Sequence, residues 1–405
     1  MKNILLISDS YAPLRDATSI YNTQIVDNLI RNNIVTVFSS ACNFKKEGLY
    51  NNPKKNLYII KIPLPFQKSK NFYLKIITSS FYSFALIIYL ILRRKKTSLY
   101  LLHTSPPLTI PFVIFFLSLK DKISKKNVKK ILIAHDIFPD AIYKITKSKF
   151  HPKSIIMNIL ESIYKSSYAK CDFIIACSES VKDKLSLKYA YNPKNINLIY
   201  NWSLISDFFL SRNLKIGSNK NISNKANLIL IGNFGTHNHI CDTLLNKLEI
   251  ILNSFEEIKV NLLIRGPKCI DIINKLSVFK EVYVNDVVPP NQLLNFYNDK
   301  HITVISLSRN VSQCSFPSRV ATACSLKSPI LFITDINKDN YLANFILENK
   351  IGYVIEEKFD EIVTRDVFNR LIDDYEQLSL NSYKTYRNFF KMEKGLKNTI
   401  DFICQ

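Results

Sequence analysis

Thirteen short apolar runs punctuate the chain, with segments of helical spacing between them. Seven come first: Ile4–Ser8, Val35–Ser39, Leu57–Ile62, Ser98–His103, Ile131–Ala134, Phe173–Cys177 and Asn197–Tyr200. Six follow a polar break: Leu228–Gly232, Val260–Ile264, Val282–Val284, Ile302–Leu307, Pro329–Ile333 and Gly352–Ile355. The runs are continuous rather than alternating, which is the pattern of parallel strands covered on both faces. Two sets of strand–helix units predict an α/β protein of two Rossmann-like, doubly wound domains. The first spans 1–205, the second 206–385, and a C-terminal helix 386–405. Ser211 to Lys225, rich in Asn, Ser and Lys, reads as a linker.

Three segments carry more than secondary structure. Lys153 to Lys170 is amphipathic, with Ile155, Ile156, Ile159, Leu160, Ile163 and Tyr164 on one face, and reads as a packing helix. Ile76 to Leu92 is uncharged and largely apolar, and Arg93-Arg94-Lys95-Lys96 follows it. A membrane span usually needs about 20 such residues. A second uncharged run, Leu99 to Leu119, contains Pro106, Pro107 and Pro111 and parses as strand, turn and helix. Both segments are expected to be domain helices, partly exposed. Basic flanks beside aromatic-rich apolar helices suit a face lying on anionic lipid; for the first segment alone a buried helix with a solvated charge run fits equally.

Composition narrows the class. The 405 residues suit two domains, and 47% apolar with 22% charged residues marks a globular chain. Lys plus Arg number 55 against 33 acidic residues, a balance of +22, which favours phosphorylated or lipid partners; no nucleic-acid motif accompanies it. Eight Cys without a Cys-x-x-Cys pair indicate neither a disulfide framework nor a zinc site, and a reducing cytoplasm fits. No signal-peptide pattern is visible, since the run from Ile4 ends at Asp9. The loop after the first strand, Asp9 to Ser19, holds no Gly, which argues against a dinucleotide site.

The stretch Cys314 to Ile330 carries the clearest chemistry. A polar loop and one short helix lie between two apolar runs. Pro317 suits a first helical turn, and Ser315 or Ser318 suits a cap. A helix starting beyond a strand's carboxyl end offers free N–H groups to an anion, and Arg319 adds a fixed cation with a fork of donors. The reading is a phosphate or diphosphate site; an ordinary strand–loop–helix with a surface Arg remains the plain alternative.

Phe316-Pro317-Ser318-Arg319, with Lys327-Ser328-Pro329 before a strand, resembles the donor-binding helix of family-4 glycosyltransferases of the GT-B fold. The likeness is closest to the bacterial branch that assembles O-antigen and capsule units. Further motifs are similar in order: the loop Pro13, Arg15, Asp16, Thr18; His103-Thr104-Ser105-Pro106-Pro107-Leu108; His135-Asp136-Ile137-Phe138-Pro139-Asp140; Tyr200-Asn201-Trp202; Gly232-Asn233-Phe234-Gly235; and Arg265-Gly266-Pro267-Lys268. Two family Glu positions fall on Cys314 and Thr322, and the Gly that the family places before Lys-Pro and a strand is replaced by Lys327.

The resemblance implies two domains facing a cleft, with the last helix returning to the first domain. It implies retaining, metal-independent transfer of a sugar from a nucleotide diphosphate sugar to a polyprenyl-diphosphate-linked glycan, with no separate cofactor. Asn233, Gly235, Arg265, Lys268, Arg309, Ser318, Arg319 and Thr322 would hold the donor. Pro13, Arg15, Asp16 and Thr18 would face the acceptor, and His103, His135 and Asp136 would serve the chemistry. The protein would sit on the inner face of the cell membrane. An inactive GT-B protein, a basic membrane-binding module and another nucleotide-sugar enzyme such as an epimerase stay open as alternatives.

Overall fold

Each of the thirteen apolar runs becomes a parallel strand in the computed structural model. It describes residues 1–14, 16–41, 55–65, 72–93, 95–106, 108–141, 155–213, 226–234, 240–266, 268–297 and 300–405. Most of the linker segment, along with Arg15 and Gly235 of the expected site, lies outside the described residues. Two compact units result. One is Met1–Ile199 together with Leu396–Gln405; the other is Tyr200–Gly395.

In the first unit the elements alternate as β1 (Asn3–Ile7), α1 (Ala17–Leu29), β2 (Ile34–Ala41), β3 (Leu57–Pro63), α2 (Phe72–Leu92), β4 (Leu99–His103), α3 (Thr109–Ser124), β5 (Lys129–Ala134), α4 (Ile155–Tyr168), β6 (Phe173–Ala176), α5 (Glu179–Leu187) and β7 (Ile196–Leu198). The sheet order is β3-β2-β1-β4-β5-β6-β7. Central β4 is buried at every residue, while edge β3 is only partly covered, as two-sided burial requires at the middle but not the rim. Order reverses between β1 and β4, where Ile7 pairs with Leu102. In open parallel sheets a ligand crevice opens at such a reversal, beyond the strands' carboxyl ends.

The second unit repeats the plan. After α6 (Asp207–Asn213) come β8 (Ala226–Asn233), α7 (Cys241–Ser254), β9 (Ile258–Arg265), α8 (Cys269–Leu276), β10 (Val282–Val284) and β11 (His301–Ser306). Then follow α9 (Arg309–Ser312), α10 (Ser318–Ser325), β12 (Ile330–Thr334), α11 (Tyr341–Glu348), β13 (Gly352–Glu356), α12 (Glu361–Asp373), α13 (Tyr375–Thr385) and α14 (Met392–Cys404). The order β10-β9-β8-β11-β12-β13 places its reversal between β8 and β11. The chain after Asp374 is not one helix: a π-helical turn, Tyr386–Phe390, interrupts it. Within the first unit, Phe402 meets Phe173 edge-on at 5.5 Å and Lys2 Nζ donates to the Cys404 carbonyl at 2.5 Å.

Two sequence expectations need correction. Ile159 does not pack; it is 53% exposed, because the inward stripe of α4 runs through Tyr164, Ser167 and Tyr168. Pro317 is the cap residue of α10 rather than its first-turn residue, with extended backbone and no side-chain cap from Ser315 or Ser318. Ile76–Leu92 and Leu99–Leu119 do parse as domain elements. Tyr82, Leu86 and Leu90 of α2 face inward without exposure, and no helix among the described residues is long and apolar enough to cross a membrane.

Asn340 ties the site-bearing loops of the second unit together. Fully buried, it caps α11 through Ala343 N–H at 3.3 Å and accepts from Ser312 Oγ at 2.7 Å. Its amide donates to Thr334 Oγ1 at 2.9 Å and the Ile336 carbonyl at 3.0 Å. Asn340→Ala strands several of these groups, and chemical denaturation should show a loss of about 2–4 kcal/mol with an unchanged denaturant slope.

Candidate functional site

The second unit gathers its polar residues at the carboxyl ends of β8, β9 and β11. Gly232 and Asn233 close β8, and Asn233 pairs in register with Arg265. Gly232 has φ +140°, a conformation that glycine adopts without a Cβ penalty. A side chain there would also stand 2.9 Å from Cζ and Nη2 of Arg319. The absent Cβ is therefore what admits the guanidinium, which lies 5.7 Å from the Phe234 ring centre. Burial pulls Arg319 from 12.5 down to about 10, so it remains a cation at neutral pH. Gly266 (φ +110°) is just as confined: a Cβ would meet the Phe234 carbonyl oxygen at 2.1 Å.

Helix α10 is pinned so that Arg319 keeps this position. Asn201 Nδ2 donates to the Phe316 carbonyl at 3.0 Å, and Ser203 Oγ donates to Ser325 Oγ at 2.8 Å. Phe316 packs on Tyr200, Phe345 and Phe390 with ring centres 5.4–5.7 Å apart. At the other end Lys327 takes φ +56°, the left-handed region where the family's Gly would sit without strain.

The remaining donor-side residues divide. Asn233, Arg265 and Lys268 are exposed at the sheet's edge, and Ser318 is half-buried in the first turn of α10. Lys268 stands 3.7 Å from Asp271 in a surface pair worth little. The Arg309 guanidinium lies against Asp339, with Nη2 3.3 Å from a carboxylate oxygen. Thr322 Oγ1 donates back to the Ser318 carbonyl at 3.4 Å. Cys314 is fully buried and its thiol faces the Asn310 and Val311 carbonyls, so it presents no ligand group outward.

In the first unit the loop after β1 is held by side chains. Asp16 caps α1 through Ser19 N–H at 2.9 Å and accepts from Ser10 Oγ at 2.7 Å, which commits its carboxylate to structure. Pro13 and Thr18 are half-buried beside it. His103 and His135 are brought together, with ring centres 4.7 Å apart, and Tyr21 stacks on His135 at 5.4 Å. His103 ends β4, almost wholly buried. Ser105 N–H donates to its Nδ1 at 3.3 Å, which leaves the proton on Nε2. Burial, then the neighbouring His135, holds it well below the usual histidine range, so it is neutral. Asp136 follows His135, half-buried.

Asp9 escaped the reading of the sequence, although a carboxylate directly after a first strand at the sheet reversal was the available signal. Its backbone N–H donates to the Ser105 carbonyl at 3.3 Å, and its own carbonyl accepts from Ser39 and Ser40 hydroxyls. Burial raises its carboxyl from 3.8 to about 6, with Ser105 opposing and Asp16 adding to the rise.

Comparison with known proteins agrees with this geometry. Residues 20–202 match the model of Glycosyltransferase Family 4. A glycosyltransferase from Rickettsia africae ESF-5 superposes with a TM-score of 0.62 at 13% identity, over 99% of this chain and 97% of that one. WaaG, a glycosyltransferase involved in lipopolysaccharide biosynthesis, gives 0.65 at 12% over 99% of both chains. The catalytic domain of starch synthase IV from Arabidopsis thaliana, bound to ADP and acarbose, gives 0.64 at 12% over 100% and 99%. None of the curated proteins matches the chain. The two parallel-sheet units have the GT-B fold, and the family-4 glycosyltransferase match covers most of the first of them.

The raised Asp9 carboxyl has a stability consequence. Between about pH 4 and 6 the folded state holds a proton that the unfolded chain releases, so burial penalises the native state fully above pH 6 and not below pH 4. Asp9→Asn should raise stability at pH 7.5 by about 1–2 kcal/mol, discounted for partial exposure, and the gain should vanish below pH 4 in thermal melts at graded pH.

Proposed function

We propose that the protein transfers a sugar from a nucleotide diphosphate sugar to a lipid-linked glycan in surface polysaccharide assembly, with retention and without a metal. The observation that carries this is Arg319, seated against Gly232 in the first turn of α10 beside the β8/β11 reversal. A helix N-terminus and a fixed guanidinium together neutralise a leaving diphosphate, the task a divalent cation would otherwise perform. Donor-side help comes from Ser318 and the exposed Asn233, Arg265 and Lys268; Arg309 and Thr322 are tied up locally and contribute less. The ADP in the starch synthase structure and the lipopolysaccharide role of WaaG support the substrate classes. The first unit would take the acceptor through its β1 loop, with His103, His135 and Asp136 lining the same sheet edge.

A second feature of the first unit supports a place at the membrane surface. Ile77, Phe81, Phe84, Ile88 and Ile91 form an exposed stripe along α2, and Phe112, Phe115, Leu119 and Ile123 form one on α3. The two helices are joined through Thr109 Oγ1, which donates to the Ser79 carbonyl at 3.1 Å, and exposed Lys95, Lys96, Lys122, Lys125 and Lys126 fringe them. Apolar stripes with a basic rim suit the surface of an anionic membrane, where a polyprenyl acceptor resides.

One specific observation favours the inactive reading as runner-up. Neither Cys314 nor Thr322 supplies the carboxylate that the family places there, and both side chains are turned to local backbone. Binding of a diphosphate without turnover of any donor in a full panel would select that reading.

A nucleoside diphosphate should raise the melting temperature of the parent protein. Arg319→Ala should weaken binding at least tenfold, matching about 1.5–3 kcal/mol for a charge-assisted contact. Gly232→Ala should do the same by displacing the guanidinium. Equal affinity in mutant and parent would remove Arg319 from the site.

Vesicles containing phosphatidylglycerol should bind the protein and release it in high salt or carbonate. Phe84→Glu with Phe112→Glu should lower binding about tenfold or more. Retention until detergent is added would show an integral membrane protein instead.

A further inference from the structure

The first unit carries a recess at the far edge of its sheet, away from the β1/β4 reversal. There β7 is the last strand in the order and pairs only with β6. Helix α14 runs beside it, and between the two lies a recess of about 430 Å³. That volume falls within the range of about 300–1,000 Å³ typical of small-molecule sites. Besides β7 itself, Lys194 and Asn197 line one wall, and Asn398, Asp401, Phe402 and Gln405 the other. The last four are spaced so as to share one helix face.

The polar side chains of this lining are uncommitted. Asn197 and Phe402 are half-buried, and Lys194, Asn398, Asp401 and Gln405 are exposed. Among the described residues, none of the five polar side chains makes a hydrogen bond or ion pair. Phe402 is fixed edge-on against Phe173 at 5.5 Å and adds an apolar surface.

Charge and donor chemistry select the ligand class. Lys194 is the one cation and Asp401 the one carboxylate, so the recess has no net charge. It follows the last turns of α14, the partly negative end of a helix, which disfavours a phosphate. A divalent cation needs several oxygen ligands and is repelled by an ammonium in the same recess. The strand β7 is three residues long and gives an added peptide strand few main-chain bonds. A neutral, polyhydroxylated ligand fits all of these. The amides of Asn197, Asn398 and Gln405 each offer a donor and an acceptor in one plane, which suits neighbouring hydroxyls. Asp401 accepts from hydroxyls, Lys194 donates to them, and the Phe402 ring suits the C–H face of a sugar.

We propose that this recess is a second sugar subsite, which binds neutral glycan units remote from the reacting end. From β7 to β4 and β1 the sheet spans three and four strand spacings, roughly 15–20 Å, so only a glycan of several units reaches both places. That the glycan is the distal part of the acceptor rests on the transferase reading; sugar binding in the recess does not.

Full-length protein with 15N-labelled Asn and Gln tests this by titration with methyl glycosides of the common hexoses and N-acetylhexosamines, and with their disaccharides. The side-chain amide resonances of Asn197, Asn398 and Gln405 should move together with at least one of them. Asp401→Ala and Asn398→Ala, at exposed positions on α14, should each weaken that binding about fivefold or more, with unchanged melting temperature. Lys397→Ala, an exposed neighbour outside the recess, should bind as the parent does. Amides unmoved by every sugar, or parental affinity in the Asp401→Ala, Asn398→Ala double variant, would overturn the proposal. A response to magnesium, inorganic phosphate or an extended peptide with none to any sugar would overturn it too. Stabilisation by a nucleoside diphosphate on the same samples reports the second unit separately. Its absence beside intact sugar shifts would sink the transferase reading and leave the subsite; its presence without sugar shifts would do the reverse.

Discussion

The second unit's site depends on the contact between Arg319 and Gly232. A guanidinium cannot be brought over a strand end unless the strand gives up a side chain, and Gly232 does so in a conformation that suits glycine. Burial among apolar neighbours lowers its affinity for protons, yet leaves it charged at any physiological pH. The cation is therefore held in one place by its surroundings. Everything around it serves this end: the aromatic cluster beneath Phe316, the Asn201 and Ser203 bonds at the two ends of α10, and the left-handed Lys327 that stops the helix.

The first unit solves a different problem. Among the described residues, the carboxyl ends of β1 and β4 bring together a neutral imidazole and a carboxyl of raised pKa. His103 is kept neutral by burial and by His135, and Asp9 is pushed toward neutrality by the same dehydration. The two units thus differ in electrostatic character at corresponding reversals of the same fold.

The exposed stripes on α2 and α3 add the constraint of place. Both helices are apolar on two faces, one spent on the sheet and the other left uncovered. That pattern explains why Ile76–Leu92 reads as nearly membrane-like in sequence while Tyr82, Leu86 and Leu90 still make an ordinary helix-on-sheet contact. Ile159 shows the reverse error: a tidy amphipathic pattern whose true inward stripe runs through Tyr164, Ser167 and Tyr168.

Strand positions, the two-unit plan and a helix beginning at Ser318-Arg319 were legible in the sequence, because parallel strands buried on both faces write themselves as continuous apolar runs and Pro-Ser marks a helix start. Residue chemistry alone also showed that Cys314 and Thr322 bring no carboxylate. Only the tertiary structure decided the rest. It put His103 against His135, spent Asp16 on a helix cap and Arg309 on Asp339, and gave Gly232 its part in seating Arg319. Asp9 became visible for the same reason. Whether a carboxylate is solvated, capped or stranded depends on what the neighbouring strands and loops bring to it, and those neighbours are 30 and more residues away along the chain.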